Sequence, residues 1–253
     1  MLKKTDVIKK FNEDEKEQVI KIYETMELAY NRDITIFSSF FSTPNIWSYF
    51  IENFKHFKIE VNGAFDESDR RIISFNNVYN MDYPYVILKI SSNSKFCELF
   101  HRDYLGAIMA LGVDRKKMGD LMVLEGYAII PVYKEIANYL KDNLVSVGKA
   151  PVTIESISSE NLPNAKYINE TINIASLRLD NFVAKLAKIS RTKAIEIINQ
   201  GKVLLNYSKK NDKSTDVKEG QKLTISGVGK FKIGEIVGST KSGRYKIDIK
   251  KYV

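Results

Sequence analysis

The clearest helical pattern of apolar side chains lies between residues 177 and 206. Apolar residues recur there at spacings of three and four, which places them on one face of a helix: Leu179, Phe182, Val183, Leu186 and Ile189. Ser190 interrupts the pattern and is a typical N-cap for a second helix. Gly201 stands where helices commonly end in a left-handed residue. The stretch therefore predicts two helices followed by a short strand at Val203 to Leu205.

Short apolar runs separated by glycines predict β-structure on both sides of these helices. The predicted strands are Thr171 to Ile174, Leu223 to Ser226, Lys230 to Gly238 and Arg244 to Ile249. We expect these strands to pack beneath the two helices and to complete a C-terminal domain at residues 175–253.

The middle of the chain alternates between strand and helix patterns. The predicted elements are Tyr85 to Ile90, Arg102 to Leu111, Asp120 to Leu124, Tyr127 to Tyr133, Ile136 to Val145 and Val152 to Ile157. Their order is β-α-β-β-α-β, which is typical of a ferredoxin-like domain. This arrangement places both helices on one face of an antiparallel sheet and predicts that the other face is open. We assign this domain to residues 79–160.

The first part of the chain reads as helical to about residue 50 and then as a hairpin. Lys58 to Ala64 and Arg70 to Phe75 predict two short strands joined by an acidic turn that includes Asp66 and Glu67. A dense aromatic cluster follows Phe37, and we interpret it as core and not as a surface for stacking bases. Residues 1–78 then form an N-terminal α+β domain. The predicted fold class is α+β, with three small domains.

Composition excludes several classes of protein. No apolar run approaches the ~20 residues that a membrane-spanning helix needs, and the first residues lack the apolar region of a secretory signal. Cys97 is the single cysteine, so an internal disulfide is excluded and a reducing cytoplasm is expected. We therefore expect a cytoplasmic protein without a membrane partner.

Positive charge is concentrated in the C-terminal third. Residues 176–253 hold 18 Lys and Arg against 7 Asp and Glu, whereas residues 1–175 hold 21 against 24. A basic module on a nearly neutral body favours binding to a polyanion. The alternative is a general contribution of charge to solubility.

Cations occupy the predicted first turn of the second C-terminal helix. Arg191 and Lys193 are unfavourable there because the helix dipole is already positive at its N-terminus. They are understandable if a phosphate binds at the same place, held by backbone amides, a hydroxyl and the charged side chains. The alternative is a solvated helix end with incidental charges.

The same stretch resembles the alpha-L RNA-binding motif. The resemblance lies in R-L-D from Arg178, S-R-x-x-A from Ser190 and G-x-V-x-x-N from Gly201. The motif also occurs in pseudouridine synthases and tyrosyl-tRNA synthetases. One position departs from it, because Gly220 is followed by Gln221 where the family usually has Asp. The resemblance implies that this domain binds structured RNA through Arg178, Arg191, Thr192, Lys193, Lys202, Asn206, Lys209 and Lys210.

Motifs for chemistry are weak elsewhere in the chain. His101-Arg102-Asp103 matches a kinase triplet in isolation, but no other kinase motif accompanies it. His56, His101 and Cys97 are too few to build a structural zinc site, and the glycine pairs lack the remaining residues of nucleotide-binding motifs. We predict no catalytic residue, no metal site and no cofactor. A second RNA contact is predicted at His101, Arg102, Arg115, Lys116 and Lys117.

The segment His101 to Asp120 is similar to the central segment of the bacterial YlmH family. The order of domains agrees with that family over nearly the whole chain. The resemblance implies a non-enzymatic factor of ribosome-associated quality control that binds large-subunit rRNA and peptidyl-tRNA, and we expect a monomer. Two alternatives stay open: an rRNA-modifying enzyme of the pseudouridine synthase type, and an interaction protein in cell division.

Overall fold

The computed structural model describes residues 3–65, 68–92, 98–163, 167–209 and 212–252. The chain divides into two compact units, Met1–Pro163 and Asn164–Val253. Four residues discussed above, Asp66, Glu67, Cys97 and Lys210, lie outside the described residues. No helix in the described part of the chain is both long enough and apolar enough to cross a membrane. The mixture of helices and antiparallel sheets confirms the α+β class, and the division into three domains stays a prediction.

The first unit begins with three helices and a small sheet. The helices are α1 (Lys4–Ile8), α2 (Glu13–Asn31) and α3 (Pro44–Asn53), and the strands are β1 (Ile36–Phe37), β2 (Ile59–Asn62) and β3 (Ile72–Phe75). The strands pair antiparallel in the order β1-β3-β2. Buried aromatic side chains from the cluster after Phe37 confirm the interpretation as core: Phe40, Phe41, Trp47, Phe50 and Phe54.

The same unit contains a second, five-stranded antiparallel sheet. Its elements are β4 (Tyr85–Ser92), α4 (His101–Ala110), β5 (Met122–Leu124), β6 (Tyr127–Tyr133), α5 (Lys134–Asn143), β7 (Ser146–Val147) and β8 (Ala150–Ile157). The strand order is β5-β6-β4-β8-β7. The predicted β-α-β-β-α-β succession is confirmed, with the two-residue β7 added before the last strand. Leu88, Ile130 and Val132 form the core together with Tyr104 and Leu140 from the helices.

The prediction of an open second face on this sheet is wrong for part of that face. Ile87 and Ile129 point away from the helices but are only 5% and 1% exposed. Nearby, the Tyr133 hydroxyl donates to the Ser38 carbonyl at 2.9 Å. The rings of Phe41 and Tyr85 lie 6.2 Å apart. The segment before α3 therefore packs on this face, a contact between residues distant in sequence that local patterns do not reveal.

The second unit is built on a six-stranded antiparallel sheet. Its elements are β9 (Tyr167–Ile174), α6 (Leu179–Leu186), α7 (Arg191–Asn199), β10 (Val203–Leu205), β11 (Ser208–Lys209), β12 (Lys222–Ile225), β13 (Gly229–Ser239) and β14 (Tyr245–Tyr252). The strand order is β11-β10-β12-β13-β14-β9. One face is apolar and shares a core with α6 and α7, through side chains such as Phe182, Ile198, Phe231 and Ile249. The predicted packing of the strands beneath the helices is confirmed.

Local signals define the limits of α7. The Ser190 hydroxyl oxygen accepts the Lys193 N–H at 3.2 Å, which confirms the predicted N-cap. Gly201 has a φ of 68°. Its N–H and that of Lys202 donate to the Ile198 and Ile197 carbonyls at 2.9 and 3.1 Å. These two bonds form a Schellman motif.

Candidate nucleic-acid interface

Two arginines and one aspartate form an ion cluster at the starts of α6 and α7. Arg178 Nε donates to Asp180 Oδ1 at 3.2 Å, and Arg178 Nη2 donates to Asp180 Oδ2 at 3.1 Å. Arg191 Nε and Nη2 each lie 2.9 Å from Asp180 Oδ2. A single carboxylate therefore fixes the position of both guanidinium groups.

Burial differs sharply within this cluster. The Asp180 side chain is 0% exposed, whereas the side chains of Arg178 and Arg191 are 34% and 55% exposed. Each guanidinium has five N–H donors, so each keeps donors for a second acceptor. The three residues together carry one net positive charge, and Asp212 and Asp216 also interact electrostatically with Arg178.

The two arginines keep the buried carboxylate ionised. Burial would raise the pKa of Asp180, but the hydrogen bonds and charges of Arg178 and Arg191 outweigh burial and lower the pKa below its ordinary value. In turn, the hydrogen bond to Asp180 raises the pKa of Arg178. The cluster is therefore a permanent arrangement of three charges at neutral pH.

A neighbouring segment aligns the beginning of α6. The N–H groups of Leu179 and Asp180 donate to the carbonyls of Thr215 and Lys213 at 2.9 and 3.2 Å. Arg178 itself pairs with Asp216 as an isolated antiparallel bridge. The apolar pattern of α6 turns Leu179 and Phe182 into the core, so Asp180 lies beside them, and the buried acid meets both arginines.

The cluster changes the interpretation of the cationic first turn of α7. Arg191 is not an isolated charge at the positive end of a helix, because Asp180 compensates part of its charge. Thr192 and Lys193 are exposed, and Lys193 Nζ lies 2.9 Å from Glu196 Oε2. The first turn thus presents to solvent an arginine held by Asp180, a hydroxyl and a lysine paired with Glu196.

The remaining predicted residues of this domain have different surroundings. Lys202 and Lys209 are exposed, whereas Lys210 lies outside the described residues. Asn206 occupies a two-residue turn in which Asn206 and Tyr207 have φ values of 46° and 65°. The Asn206 side-chain oxygen accepts the Lys222 N–H at 2.9 Å. Asn206 therefore orients the β10–β11 turn, and its contact with RNA stays a prediction.

His101 and Arg102 form an exposed surface at the start of α4. The Arg102 side chain is 85% exposed and lies 3.8 Å from Asp103. The Asp103 carboxylate accepts the Phe100 N–H at 2.8 Å, which stabilises the first turn. The structure therefore positions both predicted residues where a ligand can reach them.

Two of the three cations after α4, Arg115 and Lys117, have partners for their side chains within the first unit. Arg115 Nη1 donates to the carbonyls of Met118 and Gly119 at 2.8 and 2.9 Å. Burial lowers the pKa of Arg115 to about 10. Lys117 Nζ donates to the Ser39 carbonyl at 2.9 Å and pairs with Glu135.

The backbone carbonyl of Lys116 accepts the Phe41 N–H at 2.8 Å. Contacts of this basic segment thus connect the sheet of β4–β8 to the residues before α3. RNA binding by Arg115, Lys116 and Lys117 stays a prediction.

Asp180 is the member of the candidate site that sequence reasoning missed. Its signal is an acidic residue directly after one apolar position of an amphipathic helix, Leu179, and two residues before the next, Phe182. Buried acids are rare unless they are paired, so this position predicts a nearby cation. Among the described residues, no group of three His, Cys, Asp or Glu side chains could hold a metal ion.

Comparisons with known proteins agree with this arrangement. The family model described as "Putative RNA-binding domain in YlmH" matches residues 79–161, and the model described as "S4 domain" matches residues 177–223. The protein named "Ribosome-associated protein quality control protein P2" from Bacillus subtilis (strain 168) is 30% identical over 195 residues. That match covers 75% of this chain and 76% of the relative.

A solved structure, "Cell division protein ylmH from Streptococcus pneumoniae", matches with a TM-score of 0.48 and 18% identity. The match covers 60% of this chain and 97% of the Streptococcus pneumoniae chain. The family matches define a protein with RNA-binding domains. With the extended similarity to the Bacillus subtilis relative, they show that the chain belongs to the YlmH family.

Proposed function

We propose that this protein is a cytoplasmic, monomeric RNA-binding factor of ribosome-associated quality control, which binds the rRNA of the large ribosomal subunit and peptidyl-tRNA and has no catalytic activity. The relative's name, "Ribosome-associated protein quality control protein P2", supports the ribosomal setting. The cluster of Arg178, Asp180 and Arg191 is the observation that supports RNA binding most directly.

The cluster fits recognition of folded RNA by its phosphates. Two guanidiniums held by one buried carboxylate have fixed planes, so little side-chain freedom is lost when each donates hydrogen bonds to a phosphate oxygen. Thr192 and Lys193 add a hydroxyl and a third cation beside them. Helical RNA is recognised mainly by shape, phosphate and 2′-hydroxyl groups, so we expect weak dependence on sequence.

Co-sedimentation with purified large ribosomal subunits tests this proposal. The test variant combines Arg178→Gln, Asp180→Asn and Arg191→Gln, which removes the guanidiniums without leaving a buried carboxylate unpaired. Loss of charge-assisted hydrogen bonds should lower the affinity at least about tenfold. The salt dependence should weaken as well, because fewer phosphates are neutralised.

Lys9→Gln is the matched control, because Lys9 is exposed and its replacement changes the net charge by the same single unit. The control should sediment like the wild type. If the triple variant is folded by circular dichroism and still binds large subunits with wild-type affinity, the proposed interface is wrong.

The exposed start of α4 is the proposed contact with tRNA. His101 and Arg102 lie on one exposed turn, and two modest contacts on one chain raise the overall affinity without either being tight. Replacing both residues with alanine should weaken binding to purified tRNA in a filter assay. The variant should retain sedimentation with large subunits that carry no tRNA, and unchanged tRNA affinity would contradict this contact.

The absence of catalysis is testable in cells. If the protein acts by binding alone, rRNA from a deletion strain should contain the same set of modified nucleosides as rRNA from the parent strain. A missing modification that the purified protein restores to that rRNA would favour the modifying enzyme instead.

A further inference from the structure

Among the residues of the second unit that the structure describes, no helix covers the second face of the sheet, and this face is rich in lysine. Successive side chains of a strand point to opposite faces, and Leu223, Phe231 and Ile249 point into the core with α6 and α7. The pairing register places six lysines on the opposite face: Lys209, Lys222, Lys230, Lys232, Lys246 and Lys250.

Three of these lysines form a row across neighbouring strands. Lys222 of β12 is directly opposite Lys232 of β13, and Lys232 is directly opposite Lys250 of β14. Like charges in directly opposed positions destabilise a sheet. The row itself therefore does not favour pairing of these strands, and an anion bound across it would reduce the repulsion.

Tyrosine rings accompany the lysine row. Lys222 Nζ donates to the Tyr207 hydroxyl at 2.7 Å and lies 5.8 Å from the ring centre of Tyr252. Lys250 Nζ lies 4.8 Å from the ring centre of Tyr167, which is 44% exposed. Cations that follow a backbone, together with aromatic rings that stack on bases, are typical of surfaces that bind single-stranded nucleic acid.

Carboxylates limit the shape of the ligand. Glu219, Glu235 and Asp248 border the same open cleft of about 610 Å³ as Lys232 and Lys250. A double helix laid across this face would bring phosphates close to those carboxylates. One strand that follows the lysines and tyrosines would avoid most of this repulsion.

We propose that the helix-free face of the sheet of the second unit is a further RNA-binding surface, separate from the arginine cluster and from the start of α4, and that it takes a single-stranded segment. Phosphates contact the row Lys222, Lys232 and Lys250, and bases stack on Tyr167 and Tyr252. This surface lies on the opposite side of the sheet from α6 and α7. The inference depends on the proposed function only in taking the chain to be an RNA-binding protein.

Binding of a fluorescent 12-nucleotide oligouridine to the full chain tests this surface. The variant Lys222→Gln, Lys232→Gln, Lys250→Gln should lower the slope of log affinity against log salt by about 2, since each phosphate contact contributes roughly 0.7. Tyr167→Ala should weaken binding about tenfold through lost stacking. Tyr167→Phe should retain the wild-type affinity, because it keeps the ring.

Charge-matched controls separate this surface from the interface at α6 and α7. Replacing Lys3, Lys9 and Lys55, all exposed, with glutamine removes three charges from the other unit and should leave oligouridine binding intact. The sheet-face lysine variant should still sediment with large subunits. Conversely, the triple variant of the arginine cluster should lose sedimentation but retain oligouridine binding, so failure of one surface is distinguishable from failure of the other.

Three results would overturn the proposal: no oligouridine binding by the wild type, unchanged binding by the lysine variant with its circular dichroism preserved, or equal losses in the lysine variant and its control. If the lysine variant binds oligouridine as tightly as the wild type, the lysine row does not bind RNA, and an acidic protein becomes the better candidate for the partner of this face.

Discussion

Removing both arginines of the cluster should destabilise the second unit more than the two single changes together. In either single variant, Arg178→Ala or Arg191→Ala, Asp180 keeps one guanidinium partner. In the double variant its carboxylate, 0% exposed in the native protein, has neither. Breaking a buried ion pair in this way costs roughly 3–5 kcal/mol. For the double variant we expect a loss of about 3 kcal/mol in the free energy of unfolding, at the lower end of this range, because the arginines beside Asp180 are partly exposed to water.

The excess over additivity should be about 1–2 kcal/mol, as is usual for residues that share one partner. Adding Asp180→Asn to the double variant should recover most of the loss, because no buried charge is then left unpaired. The measurement is urea unfolding at pH 7, monitored through hydrogen exchange of peptides from α6 and α7. Trp47 is the single tryptophan and lies in the first unit, so its fluorescence is an internal control that should not change.

Dependence on pH provides an independent check of the same reasoning. In the wild type the pKa of Asp180 is lowered, so its contribution to stability is complete above the unfolded pKa of about 3.9. That contribution is lost as the pH falls through the folded pKa. In the double variant, burial without a cation should raise the pKa of Asp180, and the penalty should disappear as the pH is lowered through that raised value.

The difference in stability between the wild type and the double variant should therefore shrink on acidification. Additive costs for the two arginines, together with a difference that does not vary with pH, would refute the view that Asp180 depends on both of them.

Three further substitutions test local features of the fold, each by chemical denaturation. Ser190→Ala should lower the free energy of unfolding by about 1 kcal/mol, because it removes the side-chain acceptor for the Lys193 N–H. Ser190→Asp should retain the cap, and a loss as large as that of Ser190→Ala would contradict the role of Ser190 as N-cap. Gly201→Ala should cost about 1 kcal/mol or more at a φ of 68°, and an unchanged midpoint would contradict the left-handed helix end. Tyr133→Phe should lower the free energy of unfolding by about 1 kcal/mol, because the Ser38 carbonyl loses its donor. Burial raises the pKa of Tyr133 to about 12, so in a spectroscopic titration this tyrosine should ionise late. Ionisation of Tyr133 near pH 10 would contradict its burial.

The features that sequence predicted well depend on residues close together in the chain. The limits of α7 follow from the Ser190 cap and from Gly201, both within one turn of the helix ends. Local hydrophobic periodicity likewise predicts the order of helices and strands in the ferredoxin-like domain. Local signals of this kind need no knowledge of tertiary contacts.

The features that sequence missed depend on distant partners. Strand β9 begins at Tyr167 and not at Thr171, because its first residues pair with Tyr252 and its neighbours at the edge of the sheet. Both faces of that part of the strand are exposed, so no hydrophobic alternation marks it. Arg115 has the charge of a surface cation, but it is half-buried and its guanidinium donates to the carbonyls of Met118 and Gly119. The charge of a residue does not reveal whether its side chain will bind backbone carbonyls of the same protein.

The cluster of Arg178, Asp180 and Arg191 is better explained as a prepared binding site than as a source of stability. A buried carboxylate with two partners gains little net stability, because its desolvation offsets most of the attraction. An apolar residue would fill the Asp180 position more simply beside Leu179 and Phe182. What the carboxylate does provide is fixed orientation of two planar cations, and such preorganisation lowers the entropic cost of binding. A site of this kind should gain affinity from Asp180 even though Asp180 repels phosphate, so Asp180→Asn alone should weaken RNA binding while raising the net positive charge.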